Sequence, residues 1–311
     1  MAEKHDKELL SCIESLLVDY REFVKKSEGT EAEESLVYGL RGLVNLANMI
    51  LRDKIAFTME PWHLISPKDG DDKEAQLTQA GEMLLRLKDY KDDPMPPYPF
   101  IMAFYSNGFT SQLDTILVLA ALRRFDMDER FQQVSINISA KSLRDKNFVK
   151  VILRRLEEME LLYHPEQKVI FEIHESSVEL AMSRQVLELF RAVGVGFAID
   201  DVGLSMADVM RLAEFEGIAD YIKVDRHAVL GKPEDPNNLS NVMKFVRTML
   251  PETVVVAEGV QSPEHARQIV AGYPDIQYVQ GLYLPTSRRE FHDAFYKIGK
   301  HAPPHTDSAS A

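Results

Sequence analysis

The chain has 311 residues, 45% of them hydrophobic, and 36 Lys and Arg against 49 Asp and Glu give it a net charge of −13. That length suits one large domain or two ordinary ones with a sizeable core, and the acidic balance argues against nucleic acid polymers and anionic membranes as partners. Cys12 is the only cysteine, so an intrachain disulfide is excluded. No basic-then-apolar leader opens the sequence, and no apolar run approaches the roughly 18 residues of a membrane span; we expect a reducing, cytoplasmic setting.

Two amphipathic helices are expected first, over 7–26 and 31–53, with Leu9, Ile13, Leu16 and Phe23 on one and Leu36, Leu40, Leu43, Leu46 and Ile50 on the other. Such a pair, standing ahead of a barrel, could pack on it, cover its mouth, or form a dimer contact. Strands are then expected at 55–60, 80–87, 134–139, 169–175, 196–202, 219–225, 253–260 and 278–284. Helical patterns fall between most of them, at 111–124, 143–160, 177–192, 205–215, 237–249, 262–271 and 287–298. The four prolines in 92–100 predict extended loop there, and the link from 60 to 80 shows no helical pattern. Eight strands alternating with helices predict a parallel α/β barrel over 55–298. We divide the chain into a helical extension (1–54), the barrel domain (55–298) and a disordered tail (299–311).

Reactive groups in such barrels gather at the carboxyl ends of strands. Polar residues stand there inside apolar runs: Asn137, Glu172 with Glu175, Asp200 with Asp201, Lys223 with Asp225, Glu258 and Gln280. Taken singly, each has a structural reading, since Asp200 and Asp201 could cap a helix, Asn137 could hold a turn, and Lys223, Asp225 and Glu258 could pair with neighbours. Together they form a set of converging carboxylates that needs a cation among them. Carboxylates and an amide, without a histidine or thiolate cluster, suit Mg²⁺ or Mn²⁺.

The segments Glu82-Met83-Leu84-Leu85-Arg86, Ser135-Ile136-Asn137-Ile138-Ser139, Phe171-Glu172-Ile173-His174-Glu175, Asp200-Asp201-Val202-Gly203, Ile222-Lys223-Val224-Asp225-Arg226, Ala257-Glu258-Gly259-Val260 and Gln280-Gly281 together resemble EAL domains, which are cyclic di-GMP phosphodiesterases and their inactive relatives. The resemblance spans about 55–298 and leaves out the leading helices. It implies a modified TIM-type (β/α)8 barrel whose first strand is antiparallel to the rest. It also implies two ions, Mg²⁺ or Mn²⁺, held by Glu82, Asn137, Glu172, Asp200 and Asp201. Lys223, Glu258 and Asp201 would then be catalytic, with Lys223 and Glu258 orienting or activating the attacking water. Arg86, Gln280, Asp225 and Glu60 would contact substrate, Arg86 through a phosphate, and Glu175 would brace the loop after Asp200-Asp201. The implied reaction is two-metal hydrolysis of cyclic di-GMP to the linear pGpG. The alternative is a domain that binds the dinucleotide or a protein without turnover, and an unrelated carboxylate barrel of the enolase type is a third reading.

Departures from the family pattern bear on that choice. The loop after Asp200-Asp201 reads Val202-Gly203-Leu204-Ser205-Met206-Ala207-Asp208-Val209, without the usual second glycine and tyrosine. Glu60-Pro61 stands for the usual Gln-Pro, Gln261 for a glutamate, and Met83 for an alanine. We expect the leading helices to support a homodimer or to receive a regulatory protein.

Overall fold

The computed structural model describes residues 2–30, 32–52, 56–64, 77–89, 91–126, 131–164, 166–173, 184–232, 234–281 and 284. In chain order its elements are α1 (Ala2–Lys26), α2 (Glu33–Leu51), β1 (Phe57–Leu64), β2 (Leu77–Leu85), β3 (Leu87–Lys88), β4 (Pro94–Met95), α3 (Pro97–Tyr105) and α4 (Thr110–Asp126). There follow β5 (Gln133–Ile138), α5 (Lys146–Glu158), β6 (Lys168–Ile173), α6 (Arg184–Ala192), β7 (Gly196–Val202), α7 (Met206–Glu214), β8 (Tyr221–Val224), α8 (Arg226–Val229), α9 (Leu239–Met249), β9 (Val254–Ala257), α10 (Pro263–Gly272) and β10 (Tyr278–Val279). No helix among the described residues is long and apolar enough to cross a membrane.

Strands close into a barrel in the order β1-β10-β9-β8-β7-β6-β5-β2, while β3 and β4 form a separate ribbon. β1 runs antiparallel to β2 and β10, and the remaining neighbours pair in parallel. This is the modified barrel with a reversed first strand. Strand alternation decides what lies inside it. Trp62, Ala80, Ile170, Ala198, Tyr221 and Val256 form a buried layer, with Tyr278 packed against it. The small side chains of Ala80 and Ala198 leave room for the Trp62 ring, whose centroid lies 5.3 Å from that of Tyr221 and 5.9 Å from that of Tyr278.

The leading helices pack, the first of the three roles their sequence allows. Leu9, Ile13, Leu16 and Tyr20 of α1, and Leu36, Leu43, Leu46 and Ile50 of α2, are buried in the same apolar core as Phe100 and Phe104 of α3. Tyr20 stacks on Phe104 at 4.0 Å and donates its hydroxyl to the Ala103 carbonyl at 3.2 Å. Gly42 lets α2 approach α3, since a Cβ there would lie 2.3 Å from the Phe100 ring. α4 is buried around most of its circumference, from Leu113 to Leu122 and Phe125, because α1 and α5 flank it and β5 lies beneath. A helix so enclosed has little reason to be amphipathic.

Four sequence expectations need correction. Residues 92–100 are not all loop: α3 begins at Pro97, with Pro96 as its N-cap. Proline is tolerated in a first helical turn because the N–H it lacks has no intrahelical partner there. The last barrel strand spans Tyr278–Val279 rather than 278–284. At Gly281 a Cβ would lie 1.9 Å from the Val260 carbonyl oxygen, so the chain crosses another backbone there instead of continuing a ladder. The strands expected at 219–225 and 253–260 are shorter, at Tyr221–Val224 and Val254–Ala257. The helix expected at 287–298, the start of that at 177–192, the tail, and both His174 and Glu175 lie outside the described residues.

Candidate metal centre

Two residues beyond the buried inner layer, toward the barrel mouth, the character of every strand changes. Glu82 follows Ala80, Glu172 follows Ile170, Asp200 follows Ala198, and Lys223 follows Tyr221. Glu258 follows Val256 just past β9, and Gln280 follows Tyr278 just past β10. β1 runs the other way, so its contribution, Glu60, precedes Trp62 and sits opposite Glu82 in register. Asn137, in register with Glu172, completes the ring on β5. The period-2 rule thus explains the site: each barrel strand gives one polar side chain to a single layer.

Lys223 stands at the centre, only 1% exposed. Its Nζ lies 2.5 Å from Glu172 Oε1, 2.7 Å from Glu258 Oε1, 3.1 Å from Glu82 Oε2 and 3.2 Å from Asp200 Oδ1. Burial alone would strip its charge, but Glu172, Glu82, Asp200 and Glu258 outweigh that and hold the ammonium well above its ordinary pKa. Glu82 also accepts from Asn137 Nδ2 at 2.7 Å and from Gln280 Nε2 at 2.8 Å. Burial pushes the Glu82 carboxyl up, yet Lys223 and those amide donors prevail and leave it below the usual range. Glu60 is raised, first by burial and then by the charge of Glu82, with Gln280 opposing.

Four carboxylates share one ammonium here, which leaves a local excess of negative charge. Asp200, Asp201 and Glu258 offer ligand atoms that all lie within 4.8 Å of one another, close enough to share one cation. Asp201 joins them through a left-handed backbone with φ of 50°, at an interruption of the β7–β8 register between Ile199 and Val202. Aspartate tolerates that conformation better than most residues. Oxygen donors and no sulfur fit Mg²⁺ or Mn²⁺. Glu82, Asn137 and Glu172 sit beside this trio, bound to Lys223 or to one another.

Glu258 carries the clearest titration signal. Burial raises its carboxyl to about 7, Lys223 opposing and Asp200 adding to the shift. A folded pKa above the unfolded value means that its stabilising contribution is full below about 4.5 and lost as pH rises through about 7. A cation needs the ionised form, so metal binding must release that proton. Mn²⁺ affinity is therefore expected to fall about tenfold per pH unit below 7. Calorimetry at pH 6 and pH 8 in two buffers of different ionisation enthalpy measures both the affinity and the proton released; equal affinities would sink the assignment.

The remaining expected residues are placed differently. Arg86 extends from the end of β2 and is exposed, with one guanidinium nitrogen 3.2 Å from the Leu85 carbonyl. Asp225 caps α8, accepting the His227 N–H at 3.0 Å and facing the His227 ring. The loop after Asp201 is closed by Asp208, which accepts from Ser205 N–H at 2.9 Å, Ser205 Oγ at 2.6 Å and Gly203 N–H at 3.3 Å. That capping replaces the backbone freedom a second glycine would give. Sequence reasoning missed Ser135, whose buried hydroxyl donates to Glu172 Oε2. The signal was available, since Ser135 lies two residues before Asn137 and shares its inward face.

The fold and this ring define a mixed α/β barrel with an acidic, cation-suited mouth. Residues 72–286 match the EAL domain, and the chain belongs to that family. Among curated proteins it is similar to the cyclic di-GMP phosphodiesterase PdeR of Escherichia coli (29% identical, covering 58% of this chain and 28% of the relative). It is also similar to the cyclic di-GMP phosphodiesterase PdeA of Borreliella burgdorferi (24% identical, 65% of this chain and 30% of the relative). The chain thus spans less than a third of the length of these relatives. Among solved structures, the FimX EAL domain of Pseudomonas aeruginosa bound to c-di-GMP shares the fold, with a TM-score of 0.57 at 19% identity over 81% of this chain and 98% of that one. The Xanthomonas citri FimX EAL domain in complex with c-diGMP gives 0.59 at 17% identity, over 78% and 91%.

Proposed function

We propose that this barrel hydrolyses one phosphodiester bond of cyclic di-GMP to give pGpG with the help of Mg²⁺ or Mn²⁺. The observation that carries the reading is the ring itself, in which all four carboxylates around Lys223 survive beside the Asp200, Asp201 and Glu258 trio. The two relatives bear the name of that activity. Asp200, Asp201 and Glu258 would hold one cation, and Glu82, Asn137 and Glu172 would complete the ligand set for two. Bound divalent ions supply Lewis acidity, lowering the pKa of water and offsetting phosphoryl charge. The chain's own residues do the rest. Glu258, ionised once a cation is bound, would orient the attacking water through its carboxylate. Lys223 fixes the carboxylates and presents an ammonium beside the reacting phosphate. Arg86, exposed at the rim, is free to swing toward a ligand phosphate, and Glu60 with Gln280 faces the donors of a guanine edge.

Binding without turnover is the second reading, favoured by one feature: Lys223 is already ion-paired with three of the carboxylates that would serve as ligands. A homodimer through the leading helices is proposed as well, and it would use their exposed Val18, Val44 and Leu51, since the other large apolar residues described on these helices are buried or partly buried. The deciding experiment incubates the purified chain with cyclic di-GMP and either cation and separates the products by chromatography. We expect metal-dependent pGpG, reduced to the metal-free background in Glu82→Ala. Saturable binding without product would establish the second reading, and neither product nor binding would remove both.

A further inference from the structure

The carboxylate of Asp114 lies outside the ring, on α4, and is only 1% exposed. Sequence gives a hint of it, a lone acid in the run from Leu113 to Leu122, which is otherwise apolar but for Thr115. Its Oδ2 accepts the Ser139 N–H at 2.9 Å and the Ser142 hydroxyl at 2.6 Å. Its Oδ1 accepts the Tyr105 hydroxyl from the end of α3. Buried carboxylates are kept only where donors of this kind surround them, so the three contacts define one arrangement.

That arrangement bears on the metal centre. Among the described residues the β5–β6 ladder reaches Ile138, one residue after Asn137, and the chain then turns through Ser139 to Ser142 into α5. Asn137 lies one residue before the last described pair of that ladder and holds its amide 2.7 Å from Glu82. Asp114 helps to anchor the next four residues, together with the Lys141 N–H donated to Ser139 Oγ at 3.1 Å and the Ser142 N–H donated to the Ser139 carbonyl at 3.0 Å. We infer that Asp114 is a positioning residue for the metal centre, acting through Ser139 and Ser142 on the placement of Asn137. The inference rests on the reading of Asn137 and Glu82 as parts of a cation site. It also gives the leading helices a route to that site, because Tyr105 belongs to the helix that packs on α2 and Asp114 to the helix that packs on α1.

The test is a Mn²⁺ titration of the metal-free full chain followed by electron paramagnetic resonance, well below the melting temperature of each variant. Asp114→Ala is expected to weaken Mn²⁺ binding about tenfold, in the range set by lost support of metal ligands. Asp114→Asn should restore affinity to within about threefold of wild type, since its carbonyl can still accept from Ser139 and Ser142 while its amide donates to the Tyr105 oxygen. Ile152→Ala, in the buried core under α5, lowers stability without touching the clamp and should leave affinity unchanged. Should Asp114→Ala fail to fold, Ser142→Ala, which removes a single donor, is expected to weaken binding about threefold. Wild-type affinity in Asp114→Ala, or an equal loss in Ile152→Ala, would overturn the inference. Absence of Mn²⁺ binding by the wild type would instead remove the metal reading beneath it.

Discussion

Replacing Lys223 with methionine is expected to lower the melting temperature of the metal-free protein by about 6–20 °C and to make that loss largely recoverable with Mn²⁺. The change leaves Glu82, Glu172, Asp200 and Glu258 around a neutral side chain of similar length. Removing one partner of a buried ionic cluster costs about 3–5 kcal/mol, and each kcal/mol shifts the melting point of a barrel this size by about 2–4 °C. A divalent cation can take over the neutralising role, so Mn²⁺ should raise the melting point of the variant more than that of the wild type. Differential scanning calorimetry in chelator and in excess Mn²⁺ reads both effects. An unchanged melting point in chelator would mean that the carboxylates are protonated rather than paired, and the electrostatic account of the ring would fail.

Deleting residues 1–53 is expected to yield an aggregated product rather than a free barrel. Tyr20 stacks on Phe104, Tyr20 and Phe23 both meet the edge of Phe109, and α2 lies on the face of Phe100 at Gly42. Burying one such ring is worth about 1.5–3 kcal/mol, hence about 5–9 kcal/mol for the three phenylalanines, against a typical domain stability of about 5–15 kcal/mol. Light scattering and dye binding on the shortened chain check this. A soluble species with an unaltered melt would show the helices to be an accessory and restore residue 54 as a domain boundary.

Much of this architecture was legible because two periodicities are hard to disguise. The inner layer and the polar ring follow from residues two apart on strands, and Ile170–Glu172, Ala198–Asp200 and Tyr221–Lys223 show it without any coordinates. The α3 helix was not legible, since its prolines fall where a helix accepts them, a matter of position and not composition. The cap role of Asp225 is local, a bond from the N–H two residues on, but the clamp at Asp114 depends on which donors tertiary packing brings near, and no local pattern states that. Nor could spacing alone show that Lys223 meets four acids at once, because they come from separate strands.

The reversed first strand has a consequence for how the ring stays shut. Around most of the circumference neighbours share runs of paired residues, but β1 and β10 are joined in the described ladder only at His63 with Val279 and at Leu64 with Tyr278. Above that short zip the connection passes to side chains: Gln280 donates to Glu82 at 2.8 Å and lies close enough to Glu60 to oppose the rise of its carboxyl pKa. Whatever molecule grips Glu60 and Gln280 together therefore fastens the barrel as it binds, and closure of the cylinder and occupancy of its mouth become two readings of a single free energy.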